Sequence, residues 1–308
     1  MNAGILAGSL IPPFHLQRFL TAPWENGAWE NTLWILLLSV LIGWCCGLVG
    51  NFLLLRRMAL TGDAISHSVL PGLVLGYVIF DSLDPWVMIG GAAVAGVGAV
   101  MLIELLNQKS RLKTDAATGV AFTTLFALGV LLIKRFANRA HLDVDCVLFG
   151  HLEFTVFDMV PTPFGLMPVA MVKLIWITLA CLVLLFLFYK ELLITSFDAG
   201  LARALGLPAR AIHLGLMTVT SVIVVASLES VGAVLVVGMI IVPPATARLL
   251  ADRLPTLLML TAVLVVIGSV LGAHLAAWLN TPLAASTMAA SGAVFFLVWM
   301  VTWLKKFR

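Results

Sequence analysis

The sequence predicts an all-α, polytopic bundle of about eight or nine membrane-spanning helices. Of its 308 residues, 62% are hydrophobic and only 11% are charged, whereas a soluble domain carries about 25% charged residues on average. The apolar residues also fall in blocks that reach the roughly 20 residues a helix needs to cross a bilayer. Transmembrane β-barrels instead show alternating segments of about ten residues, and no such pattern stands out here. The composition therefore excludes a soluble domain.

Nine apolar blocks are the candidate spans. They cover residues 33–55, 64–80, 85–106, 115–134, 166–190, 208–228, 230–250, 255–279 and 283–304. The second block is short and carries His67 and Pro71, so we expect a broken or partly re-entrant helix there. We divide the chain into an irregular or interfacial segment at 1–30, which lacks a signal-peptide pattern, and a transmembrane domain at 31–308.

The basic residues indicate the orientation of the spans. Lysine and arginine are enriched in cytoplasmic loops, and here they cluster after every second block, whereas the turns near Asp81, Glu229 and Asn280 have none close by. This alternation places the C-terminus in the cytoplasm and, with nine spans, the N-terminus outside. A basic cluster at 134–139 breaks the pattern, so an eight-span arrangement stays open. The net charge of +3 is spread along the chain, which gives no nucleic-acid-binding surface.

The segment 61–72 is the first with candidate chemistry. If it is helical, Asp63 and His67 are four residues apart and share one face. Titratable side chains inside a membrane bundle are costly and usually face a cavity, a partner or an ion. Carboxylate and imidazole are both ligands for Mn, Fe and Zn. The alternative is structural, with Asp63 capping a helix and His67 bonded to a neighbouring carbonyl, and two ligands alone do not make a metal site.

The segment 196–208 predicts a short cytoplasmic helix. Ser196 or Asp198 can cap its start, and Gly206 followed by Pro208 is a stop signal. A helix of about two turns is marginal by itself. It is therefore either a connector lying on the bilayer surface or a docking element for a cytosolic partner.

The segment 231–248 contains two successive prolines, Pro243 and Pro244, which remove donors and interrupt the hydrogen-bond ladder of a helix. Freed carbonyls at membrane depth need protein or water around them, so the segment is either the wall of a translocation path or a plain kink. Glu229, just before it, is either a charge at the outer mouth or a cap. A further group of ligand-type residues in an outer connection is most simply explained as solvated loop. It comprises His141, Asp143, Asp145, His151 and Glu153.

No phosphate-binding glycine loop, serine-hydrolase elbow or zinc-protease motif occurs in the sequence. We therefore expect a chain that is not an enzyme and that cannot hydrolyse ATP by itself.

The ordered segments resemble the ABC-3 family, the membrane permeases of bacterial manganese, zinc and iron importers. The resemblance covers roughly residues 33–304. The matching segments are 55–60 running into 62–72, then 115–129, 143–150, 197–207 and 229–247. The stretch 143–150 and Glu229 are most like the manganese and iron branch.

The resemblance implies a divalent-metal importer of the bacterial inner membrane that works by alternating access. Asp63 and His67 would be the metal ligands, and Glu229, Pro243 and Pro244 would lie at the path or a gate. The metal would be the cargo, with no permanently bound cofactor. The partners implied are a cytosolic ABC ATPase, an extracytoplasmic metal-binding protein and a second permease subunit, identical or different. The helix at 197–207 would be the coupling helix. Its contact residues would be Phe197, Asp198, Ala199, Gly200, Ala202, Arg203, Leu205 and Gly206.

Two other functions stay open at this point. A secondary cation transporter driven by an ion gradient would explain a membrane-embedded Asp and His, but it leaves the short cytoplasmic helix without a partner. An ABC importer of metal chelates would have a related fold and a wider path with fewer ligands.

Overall fold

The computed structural model describes residues 16–24, 29–82, 85–111, 113–137, 159–162 and 165–306. These residues are almost entirely helical, apart from one hairpin. The helices are α1 Leu16–Thr21, α2 Trp29–Leu55, α3 Thr61–Ser68, α4 Leu70–Phe80, α5 Pro85–Lys109, α6 Thr114–Leu132, α7 Val169–Leu187, α8 Tyr189–Phe197, α9 Ala199–Ala204, α10 Ala209–Leu250, α11 Leu254–Leu279 and α12 Leu283–Lys306. The antiparallel hairpin pairs β1 Met159–Thr162 with β2 Gly165–Pro168.

Within the described residues, nine segments are long and apolar enough to cross a bilayer, as predicted. The segments α3 and α4 together form one of them, and α10 contains two, Ala209–Leu228 and Ser230–Leu250. The second span is interrupted only at Val69, between the end of α3 at Ser68 and the start of α4 at Leu70, and Val69 keeps helical backbone angles (φ −72°, ψ −27°). Pro71 has no N–H to donate to the carbonyl four residues earlier, which interrupts the hydrogen-bond ladder there.

The helix α10 breaks at a glycine and not at its prolines. Gly232 has φ 78° and ψ 166°, a conformation that residues with a side chain rarely adopt. The helix then continues through Pro243 and Pro244 to Leu250, and both proline rings are buried. The prolines thus interrupt the hydrogen-bond ladder, as predicted, without ending the helix. They remove two hydrogen bonds, but packing keeps the helix intact.

The carbonyls freed by the two prolines lie against a glycine face of α2. They belong to Met239 and Ile240, four residues before each proline. A Cβ placed on Gly50 would lie 2.0 Å from the Ile240 oxygen, and one on Gly47 would lie 3.5 Å from the Met239 oxygen. Because Gly47 and Gly50 have no side chains, the backbones of α2 and α10 can approach closely, and C–H groups of α2 can contact the freed carbonyls. Protein covers these polar atoms, as a bilayer requires.

Small residues also bring other neighbouring helices into close contact. On α4 and α5, a Cβ on Gly72 would lie 2.3 Å from the oxygen of Gly91, and the reverse distance is 2.4 Å. On α11 and α12, a Cβ on Gly272 would lie 2.4 Å from Thr287 Cα. Such small-residue contacts are typical of membrane helices, whose association depends on close packing rather than on the hydrophobic effect.

Buried hydrogen bonds connect α2 to α11. The Asn51 Nδ2 atom donates to Thr261 Oγ1 at 3.0 Å and to the Gly47 carbonyl at 2.9 Å. Nearer the other end of α2, the hydroxyls of Ser39 and Ser269 are 3.0 Å apart. Polar side chains that are paired in this way fix the register of two packed membrane helices.

One end of the bundle gathers basic residues from distant parts of the chain, and we call it the basic end. Arg56, after α2, donates from Nε to Ser196 Oγ at 3.0 Å, although the residues are 140 positions apart. Arg210, at the start of α10, donates to Gln108 Oε1 on α5 at 2.8 Å. These contacts place the ends of α2, α5 and α8 and the start of α10 together, as the charge alternation predicts.

Candidate functional site

The helix α3 carries the candidate metal pair and lies deep in the bundle, in contact with α5, α6 and the second half of α10. Gly62 permits the close approach to α10, because a Cβ there would be 2.9 Å from Ile240 Cδ1. Most of the side chains of α3 are buried, including Ile65 and Ser68. The pair is thus held on a short, tightly packed helix, which restricts how its side chains can move.

Asp63 and His67 face each other on α3, as their spacing predicts. His67 Nε2 lies 3.3 Å from Asp63 Oδ1, and the side chains are 28% and 36% exposed, respectively. The N-cap of α3 is Leu60, without a side-chain hydrogen bond, so the alternative that Asp63 caps the helix was wrong. Asp63 is instead the third residue of the helix. Its carboxylate is free to pair with His67.

Aromatic rings of α6 flank the imidazole. The centroid of His67 lies 5.5 Å from that of Phe126, nearly edge to face, and 6.1 Å from that of Phe122. These rings limit the orientations of the imidazole and keep Nε2 toward Asp63. An apolar wall beside a ligand pair also lowers the local dielectric, which strengthens its electrostatic attraction for a cation.

The spacing of the pair suits one shared metal ion. Two ligand atoms, each about 2.1 Å from a tetrahedral metal, are about 3.4 Å apart, close to the observed 3.3 Å. Among the described residues, no group of three or more His, Cys, Asp or Glu side chains could hold a metal ion. The helix α3 therefore offers a metal ion two ligands, and the described part of the chain supplies none for its other coordination positions.

The short helix α9 has the predicted start and stop signals. Asp198 Oδ1 accepts hydrogen bonds from the backbone N–H groups of Gly200 and Leu201, at 2.8 and 3.0 Å. At the other end, Gly206 has φ 77°, and Leu207 N donates to Ala202 O at 3.0 Å, which is the usual glycine stop of a helix. The helix is shorter than the predicted 197–207, because Phe197 ends α8 and Asp198 has extended backbone.

An apolar face on and beside α9 is exposed at the basic end. Phe197, Leu201 and Leu205 are spaced four residues apart and are 56%, 51% and 60% exposed. Ala202, on the opposite side, is fully buried against the bundle. Large apolar side chains exposed next to basic residues suit either of the two alternatives for this helix, contact with a partner protein or with the bilayer surface.

A second polar cluster, at the basic end, was not predicted from the sequence. The guanidinium of Arg56 contacts Thr195, Ser196 and His213, and His213 Nε2 lies 3.4 Å from Glu104 Oε2. Burial lowers the pKa of Arg56 from its usual value, but arginine stays charged in proteins. Glu104, on α5, is thus paired with a histidine of α10. A basic pair directly after a span was the only sequence signal for this cluster.

The remaining predicted residues differ in what the structure says of them. Pro243 and Pro244 are buried within α10, and the backbone of Glu229 is helical and lies three residues before the break of that helix at Gly232. The side chain of Glu229 lies outside the described part of the chain. So do the ligand-type residues at 141–153, together with the stretch 143–150.

Comparison with known proteins identifies the family. The sequence pattern described as the ABC 3 transport family matches residues 28–302. The chain belongs to the ABC-3 transport family. It is therefore a multi-pass membrane component of an ABC transport system, and the resemblance inferred from its motifs is confirmed.

Individual ABC-3 relatives match over most of their length. The manganese transport system membrane protein MntD of Bacillus subtilis is 43% identical over 264 residues, covering 85% of this chain and 89% of that protein. The zinc transport system membrane protein TroD of Treponema pallidum is 39% identical, covering 87% of this chain and 73% of that protein. Among solved structures, PsaBC from Streptococcus pneumoniae in complex with Fab has a TM-score of 0.74 at 31% identity, covering 92% of this chain and 95% of that one.

Proposed function

We propose that this chain is the permease subunit of an ABC importer for a divalent metal ion of the Mn, Zn and Fe group. The observation that carries the proposal is the Asp63–His67 pair, held at ligand spacing on a buried helix. The names of the relatives, a manganese and a zinc transport protein, support the class of cargo. One carboxylate and one imidazole suit these borderline ions better than Ca or Mg, which prefer oxygen ligands.

A two-ligand site also suits transport rather than storage. A cargo site must bind its ion strongly enough to admit it and weakly enough to release it. Closed structural zinc sites use four protein ligands, whereas α3 supplies two. We infer that water or a second permease subunit, identical or different, completes the coordination sphere while the ion passes.

The basic end is assigned to the cytoplasm, because lysine and arginine are enriched on that side of bacterial membranes. The apolar face formed by Phe197, Leu201 and Leu205 then lies where a cytosolic ATPase can dock. The other docking residues in this proposal are Asp198, Ala199, Gly200, Arg203 and Gly206. The expectation that Ala202 also contacts the ATPase was wrong, because its side chain is buried against the bundle. At the opposite end, an extracytoplasmic metal-binding protein delivers the ion. ATP-driven movement of α9 opens the path to the inside by alternating access.

The test is uptake of isotopically labelled Mn, Zn and Fe by bacterial cells lacking their own importer. The cells express the chain with its partner ATPase and binding protein, at matched membrane levels. We expect uptake of one of these metals that requires ATP. Uptake that persists without the ATPase and stops when the membrane potential collapses would instead indicate a secondary transporter. Uptake of a metal only as its chelate would indicate the chelate importer.

A further inference from the structure

The guanidinium of Arg56 joins three helices at the basic end. It donates from Nε to Ser196 Oγ at 3.0 Å and from Nη2 to Thr195 Oγ1 at 2.7 Å, both at the end of α8. Its third nitrogen, Nη1, lies 3.2 Å from His213 Nδ1 on α10. Each of the three guanidinium nitrogens thus contacts a different polar atom, and such a planar fork holds its partners in a fixed geometry.

The contacts continue from His213 to α5. Because an arginine has only donors, His213 Nδ1 accepts from Arg56, and the ring proton therefore lies on Nε2. That proton points to Glu104 Oε2, 3.4 Å away. The other carboxylate oxygen, Oε1, accepts from Gln108, which in turn accepts from Arg210 at 2.8 Å. A single chain of hydrogen bonds therefore connects α8, α10 and α5.

The network lies between the two candidate functional elements. On one side, Ser196 is only two residues before Asp198, the cap of α9. On the other side, four residues lie between Arg56 and Thr61, where α3 begins. That connection is itself compact, with Met58 N donating to Leu53 O at 2.8 Å and Thr61 N to Met58 O at 3.1 Å.

Two open cavities flank Arg56 and leave it room to move. One, of about 460 Å³, is lined by Glu104, Lys113 and Asp115 among others, and the second, of about 400 Å³, by Thr195 and Phe197 among others. Arg56 and His213 line both cavities. The network is therefore a polar partition between two spaces at the basic end, rather than part of a packed core.

We propose that Arg56 is a positioning residue that transmits the movement of α9 to α3 and so to Asp63 and His67. The inference rests on the proposed function, since it assumes that a partner ATPase moves α9. A displacement of Ser196 shifts the guanidinium of Arg56. Because the chain runs from Arg56 directly into α3, this shift moves the start of α3, and it also changes the contact between Arg56 and His213. Lysine cannot replace it, because a single ammonium does not reproduce the fork that reaches α8 and α10 together.

The test uses the purified complex of permease, ATPase and metal-loaded binding protein in liposomes. It compares Arg56→Lys and Arg56→Gln with the matched control Arg57→Gln, an exposed neighbour. Three quantities are measured: the number of ATPase subunits bound per permease, the rate of ATP hydrolysis and the metal flux. We expect both Arg56 variants to assemble normally and to hydrolyse ATP, while metal moved per ATP falls roughly tenfold, the scale of one lost charge-assisted hydrogen bond. Arg57→Gln should retain the ratio of the unaltered complex.

The inference would be overturned if the amount of metal moved per ATP stayed unchanged in the Arg56 variants. It would also be overturned if hydrolysis and flux both fell in proportion to lost assembly of the complex, because Arg56 would then be a structural residue. If the Arg56 variants do not accumulate, Ser196→Ala removes one acceptor and should lower the ratio severalfold, and an unchanged ratio in that variant overturns the inference equally. An unaltered complex without ATP-dependent metal flux would overturn the proposed function and the inference together. The result with the unaltered complex therefore distinguishes a failure of the proposed function from a failure of the inference about Arg56.

Discussion

Replacing Gly50 by alanine should destabilise the bundle strongly, because the added methyl group meets backbone that cannot rotate away. The new Cβ would lie 2.0 Å from the Ile240 oxygen and 2.9 Å from its carbonyl carbon, whereas C–H···O contacts need about 3.3 Å. The helices α2 and α10 must separate by about 1 Å. Overpacking of this kind costs about 1–3 kcal/mol, and we expect the upper end because both partners are helix backbone.

The assay is thermal unfolding of the purified permease in detergent, followed by tryptophan fluorescence. At about 2–4 °C per kcal/mol, Gly50→Ala should lower Tm by about 6–12 °C. The control is Gly98→Ala on α5, where a Cβ would meet nothing within 4 Å, and where alanine favours a helix by about 0.5–1 kcal/mol. Equal Tm values for the two variants would refute the close contact between α2 and α10.

Three further predictions concern α9 and the buried amide of α2. Leu201→Ala should weaken binding of the ATPase about fivefold, since burial of its 51% exposed side chain contributes about 1 kcal/mol; titration of the detergent-purified permease with ATPase measures this. Asp198→Ala removes the cap of α9, worth about 1 kcal/mol, and should weaken the same binding to a similar degree, whereas Asp198→Asn, also a good cap, should not. Asn51→Ala should lower Tm by a few degrees, because Thr261 loses a buried partner worth about 1 kcal/mol; an unchanged Tm would show that this pair is dispensable.

The spans could be predicted from the sequence because burial in lipid imposes a strong local signal. Long apolar blocks, the Asp198 cap and the Gly206 stop each depend on a few neighbouring residues, and the structure has all three. The Asp63–His67 pair was predictable for the same reason, since one helical turn fixes it. By contrast, whether Asp63 is a cap or a ligand depended on where α3 begins, which the sequence does not mark.

The missed features depend on contacts between distant parts of the chain. Arg56 meets His213 across 157 positions, and no local pattern indicates that these two residues share a network. The helix continues through Pro243 because the glycine face of α2 lies against its freed carbonyls, which is a property of the packed pair. By contrast, the break at Gly232 lies three residues after Glu229, where the sequence predicts a turn between two spans, so the sequence located it to within a few residues.

Coordination of the cargo ion by Asp63 and His67 is tested most directly by pulsed electron paramagnetic resonance of Mn(II) bound to the purified permease complex. An imidazole ligand produces modulation from a directly bound nitrogen. We predict this modulation in the unaltered protein and its loss in His67→Gln, with weaker Mn(II) binding in Asp63→Asn. The controls are His274→Gln, whose ring packs on Phe19 and Val270, and Asp252→Asn, which is 93% exposed; both should behave as the unaltered protein. Nitrogen modulation that survives His67→Gln, or never appears, would contradict the assignment of the metal pair.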